Sequence, residues 1–530
     1  MQLHPTRATF QVALAAGSMV VVGVFAKIAP AVAFGGAMLL AVTLGRALAL
    51  ATVTRIRASG FEMVWGTTRR VTKAGRDEEI VLEAELRNRG FDDARGVSVR
   101  PVASSMLDVR VHPATIDLPA ASKVRFEVRV RGRRVGRWGL HGIALEVRGT
   151  PLGGEGLYEV PLMFANPHGV EVMPRPLFAM LQTARGGRAR RVAEAGRPAP
   201  LAGEGEQLKE LREHMPGDPF KRIAWKASAR RGQLLVREMD REERDVVWLV
   251  LDASVELWAG EPGSAPLDLA VDELAGVAAR HIAKGDRVGL VVFAARIRTW
   301  LAPATGPLQA SKIGAALASA ASMVDADRCE LDEAEVAARV AEHLRPLDPR
   351  GLVDVPRNNL DALSLRAEAM RSRAPFAPRL PLAATPREQR FRHYLASFGM
   401  EAPPRIEGEH ERAELQLRGV LDKLARDKSQ KTKPSVVHVW APPPGPESHV
   451  DAAVRKLKAR RVEVRWTMPS FEPALANRAA APTTVEAVVM EAVRVRVRAS
   501  QSRAERAMRS LGVRARHIEA RRQRVRGARP

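Results

Sequence analysis

The chain has 530 residues, with 84 Lys and Arg against 60 Asp and Glu and a formal net charge of +24. That length leaves room for more than one domain, and a single cysteine, Cys329, excludes an internal disulfide, as expected in a reducing compartment. Only 5% of the residues are aromatic and no recognisable nucleic-acid motif occurs, so the basic balance suits an anionic membrane surface or an acidic protein partner rather than nucleic acid.

Residues from about Phe10 to Ala26 are almost all apolar, and after Lys27-Ile28-Ala29-Pro30 a second apolar run extends to about Val53. Each approaches the roughly 20 residues that a helix needs to cross a bilayer core. The first run lacks a convincing polar cleavage region and the second follows at once, so residues 1–57 read as a two-helix transmembrane hairpin. Gly35, Gly36 and Gly45 would allow close helix contact, and Arg46 must snorkel or face its partner helix. Arg7 precedes the hairpin, Arg55, Arg57, Arg69 and Arg70 follow it, and its loop holds only Lys27. The positive-inside rule then places both ends of the hairpin, and everything after it, in the cytoplasm.

Residues 58–178 carry short alternating runs, among them Glu79 to Leu86, Val124 to Val130 and Ile143 to Val147, separated by turn signals. Period-two alternation at this spacing predicts an all-β sandwich. Arg133 to Leu140 reads as a basic turn leading into a strand, and no catalytic constellation appears.

Residues 179–245 read as a linker and a compact signature segment. Gln182 to Glu206 is a loop rich in Arg, Gly, Ala and Pro. Pro216-Gly217-Asp218-Pro219 is dense turn chemistry, in which Asp218 can cap a helix that begins at Pro219. The helix is expected over Phe220 to Ala229, with Ile223, Ala224 and Ala227 inward, Lys221, Arg222, Lys226 and Arg230 solvated, and Gly232 ending it. Gln233 to Glu238 reads as a strand. Val246 to Leu251 is a near-continuous apolar run, the mark of a strand covered on both faces of a parallel sheet, and it ends at Asp252. Ligands of such sheets sit outside the carboxyl ends of the strands, where Asp252 and Ser254 can offer hard oxygen ligands to Mg²⁺.

The pattern Pro216-Gly217-Asp218, Ile223-Ala224-Trp225, Ala229-Arg230-Arg231-Gly232-Gln233-Leu234 and Asp252-Ala253-Ser254-Val255-Glu256 resembles the signature of the bacterial family called domain of unknown function fifty-eight. The resemblance implies a von Willebrand factor A-like, Rossmann-like α/β domain with a metal-ion-dependent adhesion site built on D-x-S-x-S plus a Thr and an Asp from later loops. It also implies a membrane-anchored partner of a MoxR-type AAA+ ATPase, at the bacterial inner membrane. The chain departs from the metal-site pattern. Glu256 replaces the second Ser, and the strand expected over Ser435 to Trp440 continues into Ala441-Pro442-Pro443 without a carboxylate. Asp252, Ser254 and Glu256 are therefore candidates for a degenerate Mg²⁺ site, weighed against a turn that binds nothing.

The α/β domain is expected over residues 246–520. Leu267, Val271, Leu274, Val277 and Ile282 share one helical face, Arg287 to Phe293 is a core strand, and Ala452 to Arg460 leads to the strand Val462 to Trp466. Ser502 to Ser510 leads as a helix to Val513 to Arg516. A helical, proline-broken insertion over about 324–400 interrupts the ladder, and residues 521–530 form a basic tail. The scattered histidines show no metalloprotease spacing, no phosphate-binding loop occurs, and nothing points to a catalytic triad. His281 reads as a partly buried core histidine.

The expected function is a membrane-anchored, non-enzymatic interaction scaffold without a cofactor. The signature helix, with Arg222, Trp225, Lys226 and Arg230, is the candidate contact surface, within an interaction signature of Pro216, Gly217, Asp218, Arg222, Trp225, Arg230, Gly232 and Arg237. Trp225 also admits a structural role, packing sandwich against α/β domain, with Arg230 paired to the acidic connector that follows. The alternative is a Mg²⁺-dependent ligand-binding module of adhesion type.

Overall fold

The structure is a computed structural model. It describes residues 4–518 apart from 6, 60, 91–93, 150–157, 186–196, 217, 219, 244, 259, 349–351, 353–358, 406–408, 430–431, 446–447 and 470–483. The basic tail, 521–530, lies outside the described residues. The chain divides into two compact units, Met1–Val172 with Ser322–Arg405, and Met173–Ala321 with Ile406–Pro530.

The first unit opens with two apolar helices, Arg7–Phe25 and Ala29–Ser59, joined by a turn in which Lys27 has a positive φ. Ala29–Leu48 is long and apolar enough to cross a membrane and is almost entirely unburied, whereas the apolar part of the first helix, Thr9–Phe25, is shorter. Gly35 sits at their contact, where a Cβ would come within 2.8 Å of the Ala16 carbonyl oxygen. Gly36, expected there too, faces open space. Arg46 is exposed.

Behind the helices lie two antiparallel sheets. One orders Phe61–Trp65, Glu79–Asn88, Lys123–Gly132 and Leu107–His112; the other is built on Tyr158–Met173, Gly136–Gly149, Ala94–Ala103 and Thr115–Leu118. The alternation legible in the sequence is what makes this possible. Leu82, Ala84 and Leu86 alternate with outward Glu83 and Glu85, and Phe126, Val128 and Val130 face the same core as Leu140, Ile143 and Leu145. Each such fully buried aliphatic side chain contributes about 1.5–3 kcal/mol. The basic turn before Gly136–Gly149 buries Trp138, whose indole N–H donates to the Arg134 carbonyl at 2.8 Å.

The proline-broken segment is helical over Glu333–Leu347, Leu360–Met370 and Pro386–Ser397. Its place in the α/β stretch of the sequence gives no sign that it belongs with the sandwich. Val336, Val340, Leu344, Phe391, Leu395 and Phe398 form its own small core. It then docks on the sandwich through backbone. The Gly399 carbonyl accepts from the Gly139 N–H at 3.0 Å and from the Ser104 hydroxyl at 2.6 Å. Beside this seam a buried polar chain runs from Tyr394 through His343 Nδ1 (2.8 Å) and from His343 Nε2 to His141 Nδ1 (3.0 Å). Burial holds both imidazoles neutral, with the His141 pKa lowered to about 4 and that of His343 to about 3, and it pushes the Tyr394 phenol upward.

The second unit is built on a six-stranded sheet: β1 (Val246–Asp252), β2 (Arg287–Phe293), β3 (Ile297–Ala304), β4 (Val436–Trp440), β5 (Glu463–Pro469) and β6 (Arg514–Ile518). The spatial order is β3-β2-β1-β4-β5-β6, parallel throughout except for β3. Every residue of β1 is buried, as its unbroken apolar run requires of a central strand. The helix Pro266–Ala283 buries Leu267, Val271, Leu274, Val277 and Ile282, the expected face. His281 is partly buried, its Nδ1 2.7 Å from an Asp286 carboxylate oxygen.

Two element bounds differ from expectation. The loop read from Gln182 to Glu206 contains the end of a helix, Arg175–Arg185, and the start of a long strand, Arg197–Glu213. The last helix begins at Thr484 rather than Ser502 and runs to Ser510. Its middle alternates Val493-Arg494-Val495-Arg496-Val497-Arg498, a period-two pattern of β-branched residues that disguises a helix.

Candidate functional site

Two places in the second unit bear on function: the signature segment and the turn after β1. In the signature, Arg197–Glu213 pairs antiparallel with Leu235–Glu243, and the residues between them fold back onto the hairpin. Asp218 does not cap a helix. Its carboxylate accepts both Arg212 guanidinium nitrogens at 2.7 Å and the Met215 N–H at 2.8 Å, closing the turn as an ion pair. Those bonds, Arg212 foremost, draw its pKa down to about 2. Gly217 lies outside the described residues, as does the side chain of Arg222.

The expected single helix is two pieces, a 3₁₀ turn Phe220–Arg222 and an α-helix Trp225–Arg231. The break falls where the Ala224 N–H donates to the Leu235 carbonyl (2.8 Å) instead of continuing the helix. Gly232 ends the helix in the left-handed region at φ 69°, as its position predicts. The inner side is closed by Ile223, Ala224, Leu235 and Val236 and by Ser228, whose hydroxyl accepts the Leu235 N–H at 2.9 Å.

The outer side is the unusual one. Trp225 is 62% exposed and Phe220 75%, with Met215 and Leu234 also exposed. Around them Pro216, Lys221, Lys226, Arg230, Arg231 and Arg237 are exposed as well. The helix is too short to bury two faces, and its buried side is taken by Ile223, Ala224 and Ser228. The outcome is an aromatic and apolar patch rimmed by cations.

The turn after β1 sits where the strand order reverses between β1 and β4, the usual place for a ligand crevice. Asp252 and Ser254 are both 3% exposed. A single carboxylate oxygen of Asp252 accepts the Ser254 N–H at 2.9 Å and also the Ser254 hydroxyl, in a very short bond. Glu256 turns away to accept the Glu409 N–H on Oε1 at 2.6 Å, and its buried Oε2 has no hydrogen-bond partner among the described residues. Ala441 is fully buried past the end of β4, with the Trp466 indole donating to its carbonyl.

These residues do not fit an octahedral Mg²⁺ shell. The end of β4 offers no carboxylate, and no cluster of three His, Cys, Asp or Glu suited to a metal occurs among the described residues. Asp252 behaves as the cap of a tight turn. Burial, opposed by the two Ser254 bonds and reinforced by Glu256, raises its pKa from 3.8 to about 6.

That shift has a measurable consequence. A carboxyl raised in the folded state favours folding most at low pH, and the advantage is lost as pH rises from about 4 through 6. At about 1.4 kcal/mol per tenfold, the loss approaches ~3 kcal/mol. Asp252→Asn is expected to flatten the stability profile between pH 4 and 7, as read by denaturant unfolding at each pH. An unchanged profile would place the titrating group elsewhere.

Sequence reasoning missed one polar cluster here. Glu273, on the helix Pro266–Ala283, accepts from the Trp440 indole at 3.3 Å and the Thr467 hydroxyl at 3.4 Å and pairs with Arg516. Its members come from β4, β5, β6 and a helix, so no local spacing announces it.

Residues 210–353 match the family model described as Protein of unknown function DUF58. The family resemblance read from the spaced signature residues therefore holds over this DUF58 segment. "Uncharacterized protein Rv1480" of Mycobacterium tuberculosis is 32% identical over 92 residues, 17% of this chain and 29% of that protein. "Uncharacterized protein Mb1516" of Mycobacterium bovis gives the same values. The chain thus spans 29% of the length of the curated relatives it matches. Among solved structures, the ASH / PapD-like domain of human CEP192 aligns at 14% identity over 22% of this chain and 86% of that domain, with a TM-score of 0.17.

Proposed function

We propose that this chain is a membrane-anchored, non-enzymatic interaction scaffold whose signature patch binds a protein partner, a MoxR-type AAA+ ATPase, in the assembly or activation of another complex. The observation that carries this reading is the exposure of Trp225 and Phe220 inside a rim of Lys and Arg. Trp, Tyr and Arg dominate binding energy at interfaces, and a soluble surface gains nothing by displaying them without a partner. The basic rim favours an acidic surface on that partner. The ATPase itself is what the family resemblance implies.

The anchor in this reading is the N-terminal hairpin, with both helices spanning the bacterial inner membrane and the rest of the chain in the cytoplasm, following the distribution of Arg around it. The strand order with one antiparallel edge strand supports a von Willebrand factor A-like α/β domain. Affinity capture of the full chain from native membranes, in mild detergent with nucleotide present, is the direct test. Recovery of no AAA+ ATPase would count against the partner named here.

A second reading is a Mg²⁺-dependent ligand-binding module using Asp252, Ser254 and Glu256. Only the unpartnered Glu256 Oε2 favours it. Calorimetry with millimolar Mg²⁺ is expected to show no binding heat. A measurable affinity that disappears in Asp252→Ala would establish the second reading in place of the first.

A further inference from the structure

Among the described residues, the last helix, Thr484–Ser510, meets the core of the second unit near its C-terminal end, where Met508 is buried and Ala504 and Leu511 pack against that core. At 1.5 Å per residue its 27 residues extend about 40 Å. Val485, Val488 and Val489 are 72%, 70% and 55% exposed, and Val495 is 57% exposed. At about 100° per residue, these four and Ala492 fall within a sector of about 120°. Arg494 and Arg498 lie on the opposite side with Glu491, which Arg494 meets at 3.5 Å. Arg496 stands within the apolar stripe.

We infer that this stripe lies in the interfacial layer of an anionic lipid bilayer, with the arginines on the phosphates. A helix lying in the headgroup plane carries an apolar stripe on one side and Arg on the other. The stem of Arg496 can lie along lipid and carry its guanidinium up to the headgroups. Charge decides between occupants. The helix has six Arg against three Glu, so pairing with a second copy would bring like charges together, whereas an anionic surface attracts them, each nearby cation contributing about 1 kcal/mol. On the same chain, Ala29–Leu48 is long and apolar enough to cross a membrane. The inference therefore rests on the membrane-anchored reading above.

The test uses the full chain reconstituted into lipid nanodiscs, with an environment-sensitive fluorophore on Val488→Cys; Cys329 is buried and does not compete for label. Co-elution of protein with discs reports anchoring on its own. In discs containing phosphatidylglycerol, the label is expected to shift to the blue and lose iodide quenching. Both effects should be absent in phosphatidylcholine discs and reversed in the triple variant Arg494→Gln, Arg496→Gln, Arg498→Gln, each substitution weakening the lipid-bound population roughly fivefold. A label that stays water-accessible in phosphatidylglycerol discs, while the protein co-elutes with them, overturns the inference and leaves the anchor intact. Protein that fails to associate with discs overturns both. Protection that is equal in the two lipids and lost on diluting the protein assigns the stripe to a second copy and overturns the lipid surface.

Discussion

Gly399→Ala is expected to destabilise the first unit by about 3 kcal/mol or more, lowering its melting temperature by roughly 10 °C. Two costs add. Gly399 has φ 66°, where an L side chain is strained by about 1–2 kcal/mol. A Cβ there would also stand 2.6 Å from the Gly139 nitrogen and 2.7 Å from the Trp138 carbonyl carbon, both backbone atoms that have nowhere to go. Gly139→Ala should be at least as severe, because its Cβ would fall 2.1 Å from the Phe398 carbonyl oxygen. Should these variants not accumulate, Ser104→Ala gives a milder probe. It removes the 2.6 Å bond to the Gly399 carbonyl and the acceptor that the Gly139 N–H reaches at 3.2 Å, a loss of about 1–2 kcal/mol. The readout is thermal unfolding together with limited proteolysis of residues 322–405. If Gly399→Ala resists protease and heat like the parent chain, the helical segment is not held on the sandwich through this seam.

Trp225→Ala is expected to abolish partner capture, by roughly 30-fold or more in affinity, while leaving stability within about 0.5 kcal/mol of the parent. The two halves of that statement separate the two roles a signature tryptophan can have. A tryptophan that packs one element against another costs about 3–5 kcal/mol when truncated. At 62% exposure, Trp225 has little burial to lose. Lys226→Glu on the same exposed helix should weaken capture and its salt dependence without touching the fold, because it reverses one charge on the rim. The decisive comparison is capture and denaturant unfolding on the same preparations. A strong loss of stability in Trp225→Ala, with capture falling only in proportion to folded protein, would return Trp225 to a structural role.

What is legible in the chain depends on the range of the interactions involved. The all-buried run Val246–Asp252, the helical face of Leu267 to Ile282 and the alternation at Leu82, Ala84 and Leu86 are local periodicities, and a periodic apolar pattern tells which face must leave water. Gly232 was legible for the same reason, since ending a helix in the left-handed region is a property of the residue itself. Asp218 was not. Its cap chemistry was right for a helix start, but Arg212, six residues earlier, offered two charge-assisted bonds that outweigh a neutral cap. The absence of a carboxylate at Ala441 was legible, because it is a property of the residue itself. That Ser254 is committed to Asp252 could be seen only once β1 was placed at the centre of the sheet.

The sequence by itself determined the kinds of layer in this protein: an apolar N-terminal helix of bilayer length, alternating strands that pair into a sandwich, and a parallel sheet wrapped by helices. These follow from hydrophobic period and from turn residues, which act within a few positions. Only the tertiary structure decided which segments pair and what stays outside. It joined residues 322–405 to the sandwich, across more than 200 residues of chain, through contacts such as Gly139 with Gly399. It also left Trp225 and the valines of the last helix uncovered. The physical reason is that the hydrophobic effect fixes that an apolar face should be buried but not against what, and the choice is made by steric fit and hydrogen-bond satisfaction among residues distant in sequence.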